Sequence, residues 1–216
     1  MAYTSDPRAP STKLGELLAN SITHGVGIGL SIAGLVILIV RAVRHGTGWH
    51  LAGFLVFGIS LILLYLASTL YHSMANKPWN GFLQRLDHSA IFFLIAGTYT
   101  PFLLTALRNW IGWTIFGLIW GVTLVMLILK LSIKKGFEKP PVWLYLVMGW
   151  FGAIIFWQGL NSINTSSFIF LLLGGIVYSL GVVFYRWRSL PYSHAVWHLF
   201  VLGGSVLHYF SVLVIV

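Results

Sequence analysis

Three short motifs gather four of the eight histidines and one of the four acids in this sequence: Ser68-Thr69-Leu70-Tyr71-His72, Asp87-His88 and His194-Ala195-Val196-Trp197-His198. Residues four apart on a helix lie one turn apart and about 40° around it, so His194 and His198 can aim both imidazoles at one centre. Ser68 and His72 stand in the same relation. Three histidines from two helices, with a carboxylate near them, supply the three imidazoles and open position of a catalytic zinc site. There is no cysteine. Disulfides, thiolate ligands and a cysteine nucleophile are therefore excluded, and any metal must rest on histidine and carboxylate.

Asp87 is the one acid between Ala19 and Phe137. In the HExxH motif of zinc proteases a glutamate follows the first histidine, but here Ala195 fills that position, so a general base must come from elsewhere and Asp87 is the candidate. A carboxylate there can offset the charge of an ion bound by neutral imidazoles and orient its water. It also suits a helix N-cap. Ser68, one turn before His72, can donate to that water or to a developing oxyanion. Glu16, Asn20 and His24 follow one another at four-residue steps, drifting by about 80°, and read either as groups supporting the ligands or as a polar lock between helices. His88, about 100° from Asp87, reads as interfacial, and His208 as a packed polar residue. His45 and His50 fall in a loop on the opposite side and carry no metal argument.

These side chains need a scaffold that water does not solvate. Of 216 residues, 58% are hydrophobic and 8% charged, and so few charges cannot clothe a soluble domain of this length. Seven segments approach or reach the roughly 20 apolar residues that a span requires: Ile22 to Val40, Leu51 to Tyr71, Ala90 to Leu107, Ile111 to Leu129, Val142 to Leu160, Phe168 to Tyr185 and Ala195 to Val216. They lack the alternation of barrel strands, so they predict an all-α bundle of seven transmembrane helices. Short breaks with turn chemistry separate them: His45-Gly46-Thr47-Gly48, Asn76 to Gly81, Pro140-Pro141 and Asn161 to Ser167. Thr100-Pro101 predicts a packing bend in the third span. The 23 glycines suit close helix packing in lipid, and none forms a phosphate-loop spacing. The polar start lacks a basic region leading to a cleavage site, so a short N-terminal segment, 1–16, is expected before one membrane domain, 17–216.

Of the 13 basic residues, ten fall on one side: Arg8, Lys13, Lys77, Arg85, Lys130, Lys134, Lys135, Lys139, Arg186 and Arg188. Arg41, Arg44 and Arg108 fall on the other. Positive charge marks the cytoplasmic side, so the N-terminus is expected in the cytoplasm and the C-terminus outside, in the inner (plasma) membrane. This explains the net charge of +9, and since the bases form no stripe, nucleic-acid binding is not expected. Whichever way the protein is inserted, the end of span two, the start of span three and the start of span seven share one face of the membrane. That puts the three motifs together, on the cytoplasmic side.

At Glu16-x3-Asn20-x3-His24, Ser68-x3-His72, Asp87-His88 with the following Ala96-Gly97-Thr98-Tyr99-Thr100-Pro101, and His194-x3-His198, the sequence resembles the hemolysin III family. That family is the bacterial branch of the progestin and adiponectin receptor (PAQR) superfamily, which is grouped with the alkaline ceramidases. The resemblance covers essentially the whole chain. It implies a seven-helix bundle with an internal cavity and an intracellular N-terminus. By the same resemblance His72, His194 and His198 are zinc ligands, Asp87 holds the metal's water and Ser68 lines the site. The extra N-terminal domain of the receptor relatives is missing, which argues against receptor signalling.

The leading expectation is a zinc-dependent hydrolase of lipid amides or esters, with a membrane lipid as substrate or ligand. A non-enzymatic lipid or membrane-state sensor with structural zinc is the alternative, although structural zinc sites are closed by four protein ligands. A cytolytic channel is a third reading, and conduction needs a polar path across the whole bilayer, whereas these polar residues gather at one end.

Overall fold

A computed structural model describes residues 14–75, 77–132, 142–158 (the backbone alone from 152) and 163–216. Within them the chain forms seven helices: α1 Leu14–His45, α2 Gly48–Ser73, α3 Asn80–Leu104, α4 Trp110–Ser132, α5 Val142–Gln158, α6 Thr165–Arg186 and α7 Ser193–Leu213. Arg8, Lys13, Asn76, Lys134, Lys135, Lys139, Pro140-Pro141 and the breaks at 159–162 lie outside the described residues. Five helices, α1, α2, α4, α6 and α7, are long and apolar enough to cross a membrane. The protein is a multi-pass membrane protein built of helices.

Its surface and interior have the polarity that hydrocarbon demands. Val36, Leu118, Ile128 and Val183 are each more than half exposed, while Asn20, His24, Ser68, Thr123, Lys130, His198 and Ser205 are buried. A polar atom facing lipid has no water to bond, so it must find a partner inside the bundle. Hydroxyls do this locally by bonding the carbonyl one turn back: Ser31 to Gly27 at 2.7 Å, Ser60 to Val56 at 2.7 Å, Thr98 to Leu94 at 2.8 Å and Thr123 to Ile119 at 2.9 Å.

Neighbours in sequence pack as neighbours in space, α1 on α2, α2 on α3, α3 on α4 and α6 on α7, and α1 meets α7 to close the ring. α5 lies between α3 and α6. α3 touches α2, α4, α5 and α7, and is buried without a break from Ala96 to Leu104. Pro101 lies inside it, near its end. Opposite stands Gly53 of α2, where an added Cβ would meet Pro101 Cα at 2.7 Å, so the two backbones are in contact.

Several helices run past the expected spans. Hydropathy bounds the stretch that sits in hydrocarbon, whereas helical hydrogen bonding continues through polar residues beyond it. α3 is the instructive case: it begins ten residues before Ala90, and its N-cap is Trp79. Asp87 therefore stands about two turns inside the helix, and the N-cap role expected for it does not hold. Lys130, expected in a loop, lies in the last turn of α4 and is fully buried. It continues the buried stripe Ile115, Ile119, Thr123 and Met126, whose four- and three-residue steps face α3.

Gly53→Ala is expected to cost about 1–3 kcal/mol, because the obstructing atom is backbone and can yield only by parting α2 from α3. Gly29→Ala, where nothing lies within 4 Å, is expected to be neutral or stabilising. Thermal unfolding of the two purified variants in detergent checks the contrast.

Candidate metal centre

The last turn of α2 and the first two turns of α7 meet at three histidines. One ring nitrogen from each of His72, His194 and His198 lies within 4.8 Å of the others. Ring centroids are 4.9 Å apart for His72 and His194, 5.1 Å for His72 and His198, and 4.6 Å for His194 and His198. His72 and His198 are buried and His194 is partly buried.

The hydrogen bonds around His198 fix which nitrogen is free to bind. Its Nδ1 lies 3.1 Å from the carbonyl of Asn20, and 3.2 Å from Thr23 Oγ1. A carbonyl can only accept, so Nδ1 carries the proton and donates, leaving the Nε2 lone pair for a cation. Supporting bonds of this kind orient metal-binding imidazoles generally. His72 supplies an independent sign: its Nε2 is buried with no hydrogen-bond partner. A bare nitrogen in a dry site is costly unless something electropositive faces it. Three nitrogen donors and no thiolate suit zinc or a similar borderline ion. The residues present fit such an ion.

α1 is bound to α7 at three successive levels. Glu16 Oε1 accepts from the backbone N–H of Tyr192 at 3.2 Å, where the chain turns through a left-handed residue, φ 57°, to start α7. One turn deeper is the Asn20 carbonyl. Deeper still, His24 stacks on the His198 ring at 3.6 Å with the planes 11° apart. The four-residue rhythm of Glu16, Asn20 and His24 is thus the face of α1 that follows α7. Asn20 acts through its backbone and Glu16 stays at the mouth, while both nitrogens of His24 are buried without a hydrogen-bond partner.

Asp87 and Ser68 line one cavity with His24, His194 and His198. The Asp87 carboxyl interacts with Ser68 and with Lys130. It is not one of the three clustered ligand groups, so it faces the space beside them. His88 departs from the interfacial position expected of it: Lys130 Nζ lies 3.2 Å from its Nδ1, Tyr145 donates to its carbonyl at 3.0 Å, and it lines the cavity. The cause is the central position of α3, which at this level has helices on several sides instead of a lipid face. Lys130 was hidden by its place at the end of an apolar run, and only the helical period of α4 reveals it.

The cavity, about 190 Å³, extends along α7 from His194 to His208, about 21 Å of helix. Its walls are mainly apolar, among them Leu94, Ile95, Leu146, Phe168, Leu172, Val182 and Val201. The site is the polar end of an oily chamber. His208, expected as a packed polar residue, also lines it, with its Nε2 3.1 Å from the Leu171 carbonyl.

Glu16→Ala leaves the Tyr192 N–H unpaired and is expected to cost about 1 kcal/mol or less, while Glu16→Gln keeps an acceptor and most of the stability. Chemical or thermal unfolding of both variants reads the difference.

The model of the family described as Haemolysin-III related matches residues 14–209. The chain is 46% identical over 198 residues to the Hemolysin-3 homolog of Bacillus subtilis (strain 168), covering 92% of this chain and 93% of that one. It is also 46% identical over 198 residues to Hemolysin-3 of Bacillus cereus, covering 92% and 90%. At 28% over 212 residues it is similar to the Monocyte to macrophage differentiation factor of Homo sapiens, covering 91% and 83%.

Proposed function

Because this chain belongs to the haemolysin III-related family, and three imidazoles converge where two of them line an apolar cavity, we propose that it is a zinc-dependent membrane hydrolase of lipid amide or ester bonds. The observation that carries this reading is the cluster of His72, His194 and His198, with ligand nitrogens within 4.8 Å and an acid beside them in the same cavity. Three protein ligands leave a coordination position open, which favours catalysis over a purely structural ion.

When bound there, zinc supplies Lewis acidity, lowering the pKa of water toward about 7 and polarising a carbonyl. The protein supplies the rest. Asp87 takes the proton of the attacking water and returns it to the leaving amine or alcohol, as a general base that becomes the general acid. Ser68, beside Asp87, donates a hydrogen bond to the oxygen on which charge develops. Asn20 and His24 hold the His198 ring against movement, so the ligand set is organised before substrate arrives. The apolar walls receive the hydrocarbon part of the lipid and exclude bulk water, which strengthens each of these interactions.

In this reading all seven helices span the bilayer, the N-terminus is cytoplasmic, and the site faces the cytoplasmic leaflet. The excess of Lys and Arg on one set of connections supports that orientation, and it persists when buried Lys130 is removed from it.

Metal analysis of the purified protein is expected to give about one zinc per chain, falling at least about tenfold in His72→Ala, His194→Ala and His198→Ala. Undiminished zinc in these variants overturns the site. With ceramide-like and acyl-lipid panels, fatty-acid release is expected from the zinc-loaded protein. Asp87→Asn is expected to keep its zinc and lose turnover by about 10²–10⁴-fold. Zinc-loaded protein that releases no fatty acid from any of these lipids overturns the hydrolase reading. A chelator that lowers thermal stability, with no turnover to lose, then marks the ion as structural.

A further inference from the structure

Beyond the metal centre, the cavity passes a second polar group that the proposed chemistry does not use. Tyr65 donates to Ser205 Oγ at 2.7 Å, and the hydroxyls of Ser205 and Tyr178 lie 2.7 Å apart. Ser205 bonds both tyrosines, and this network of three hydroxyls has three protons but only two internal bonds. One proton has no acceptor within it. Ser205 is buried and absent from the cavity wall, whereas Tyr178 forms part of that wall. A buried serine proton without an acceptor is costly, so Ser205 passes its proton to Tyr178, and Tyr178 turns its own toward the cavity.

His208 lies one turn beyond Ser205 on the same face of α7, its ring 5.2 Å from that of Tyr178. Its Nε2 meets the Leu171 carbonyl at 3.1 Å, and since a carbonyl only accepts, that nitrogen carries the proton. Nδ1 is then an acceptor. Tyr178 and His208 both line the cavity, a hydroxyl donor and an imidazole with a free acceptor on neighbouring rings, among walls that are mainly apolar. A plain acyl chain leaves both unmet, whereas a hydroxyl, which donates and accepts, satisfies both.

We propose that Tyr178 and His208 form a second recognition site, selective for a lipid that carries a hydroxyl group partway along its chain. Ser205 and His208 follow His198 by seven and ten residues, so the hydroxyl sits about 10–15 Å along α7 from His198. This deepens the hydrolase reading and rests on it only for the placement of the lipid's head group at the histidine end.

The test is equilibrium binding of three probes to the purified full-length protein: oleate, its hydroxylated counterpart ricinoleate, and the methyl ether of ricinoleate, which can accept but not donate. Ricinoleate is expected to bind about tenfold more tightly than oleate, with the methyl ether losing much of that gain. Tyr178→Phe, which keeps the ring, is expected to reduce the ratio of ricinoleate to oleate affinity several-fold. Equal affinities for the three probes, no binding of any, or a preference that survives Tyr178→Phe overturns the proposal. Because the probe series varies the ligand, the result does not depend on any variant folding. Read before and after chelation, the ratio separates the two ideas: failure of the metal reading removes zinc and turnover but keeps the preference, and failure of this site removes the preference from protein that still holds its zinc.

Discussion

The hydrogen bond from His198 Nδ1 to the Asn20 carbonyl joins the first helix to the last and decides what the imidazole can do. It spends one nitrogen on structure and leaves the other for chemistry. The stack of His24 on the same ring restricts the remaining freedom, since the ring centroids are 3.6 Å apart with the planes 11° from parallel. From this follow the position of His194 one turn earlier, the approach of His72 from α2, and the location of the cavity. Glu16 secures the arrangement from outside by bonding the backbone where α7 begins.

The bilayer makes this arrangement economical. A polar group in hydrocarbon is tolerated only with a partner, so a bundle carrying few polar residues gathers them on inward faces. Most hydroxyls in this protein are satisfied within their own helix. Others reach a neighbouring helix, as Ser167 does to Ser211 and Ser205 to its two tyrosines, and beside the cavity Asp87 interacts with Ser68 and Lys130 lies against His88. Buried Lys130 places a cation within electrostatic reach of Asp87, in a region where the low dielectric magnifies the effect of each charge. The resulting chamber has the histidine cluster towards one end and mainly apolar walls along its length, a shape suited to an amphiphile.

Family membership and fold class were both legible before any coordinates, as was the meeting of the three histidine-bearing helix ends. The family was legible from the resemblance of the motifs, and the meeting of the helix ends from apolar run length and the parity of the expected spans, because a chain crossing a bilayer returns to the same side after every second pass. Other features were misread for physical reasons. Asp87 was placed at a helix end because hydropathy marks the hydrocarbon boundary, and α3 ignores that boundary. Lys130 was counted among loop cations because its charge outweighed its place in the four-residue stripe of α4. His88 reads as interfacial when its angle from Asp87 is judged on a helix with one inner face, whereas α3 meets helices on several sides.

The sequence by itself determined the helices, the residue types able to hold a metal, and their common end of the bundle, since all three depend on local hydropathy and on the period of the helix. The tertiary structure decided which nitrogen of His198 is free, that Asn20 contributes its backbone while His24 contributes its ring, and that Tyr178 and His208 face the cavity. Those outcomes depend on rotation of each helix about its axis and on contacts between residues more than a hundred positions apart, and in hydrocarbon they are set by which polar atoms find one another once the helices meet.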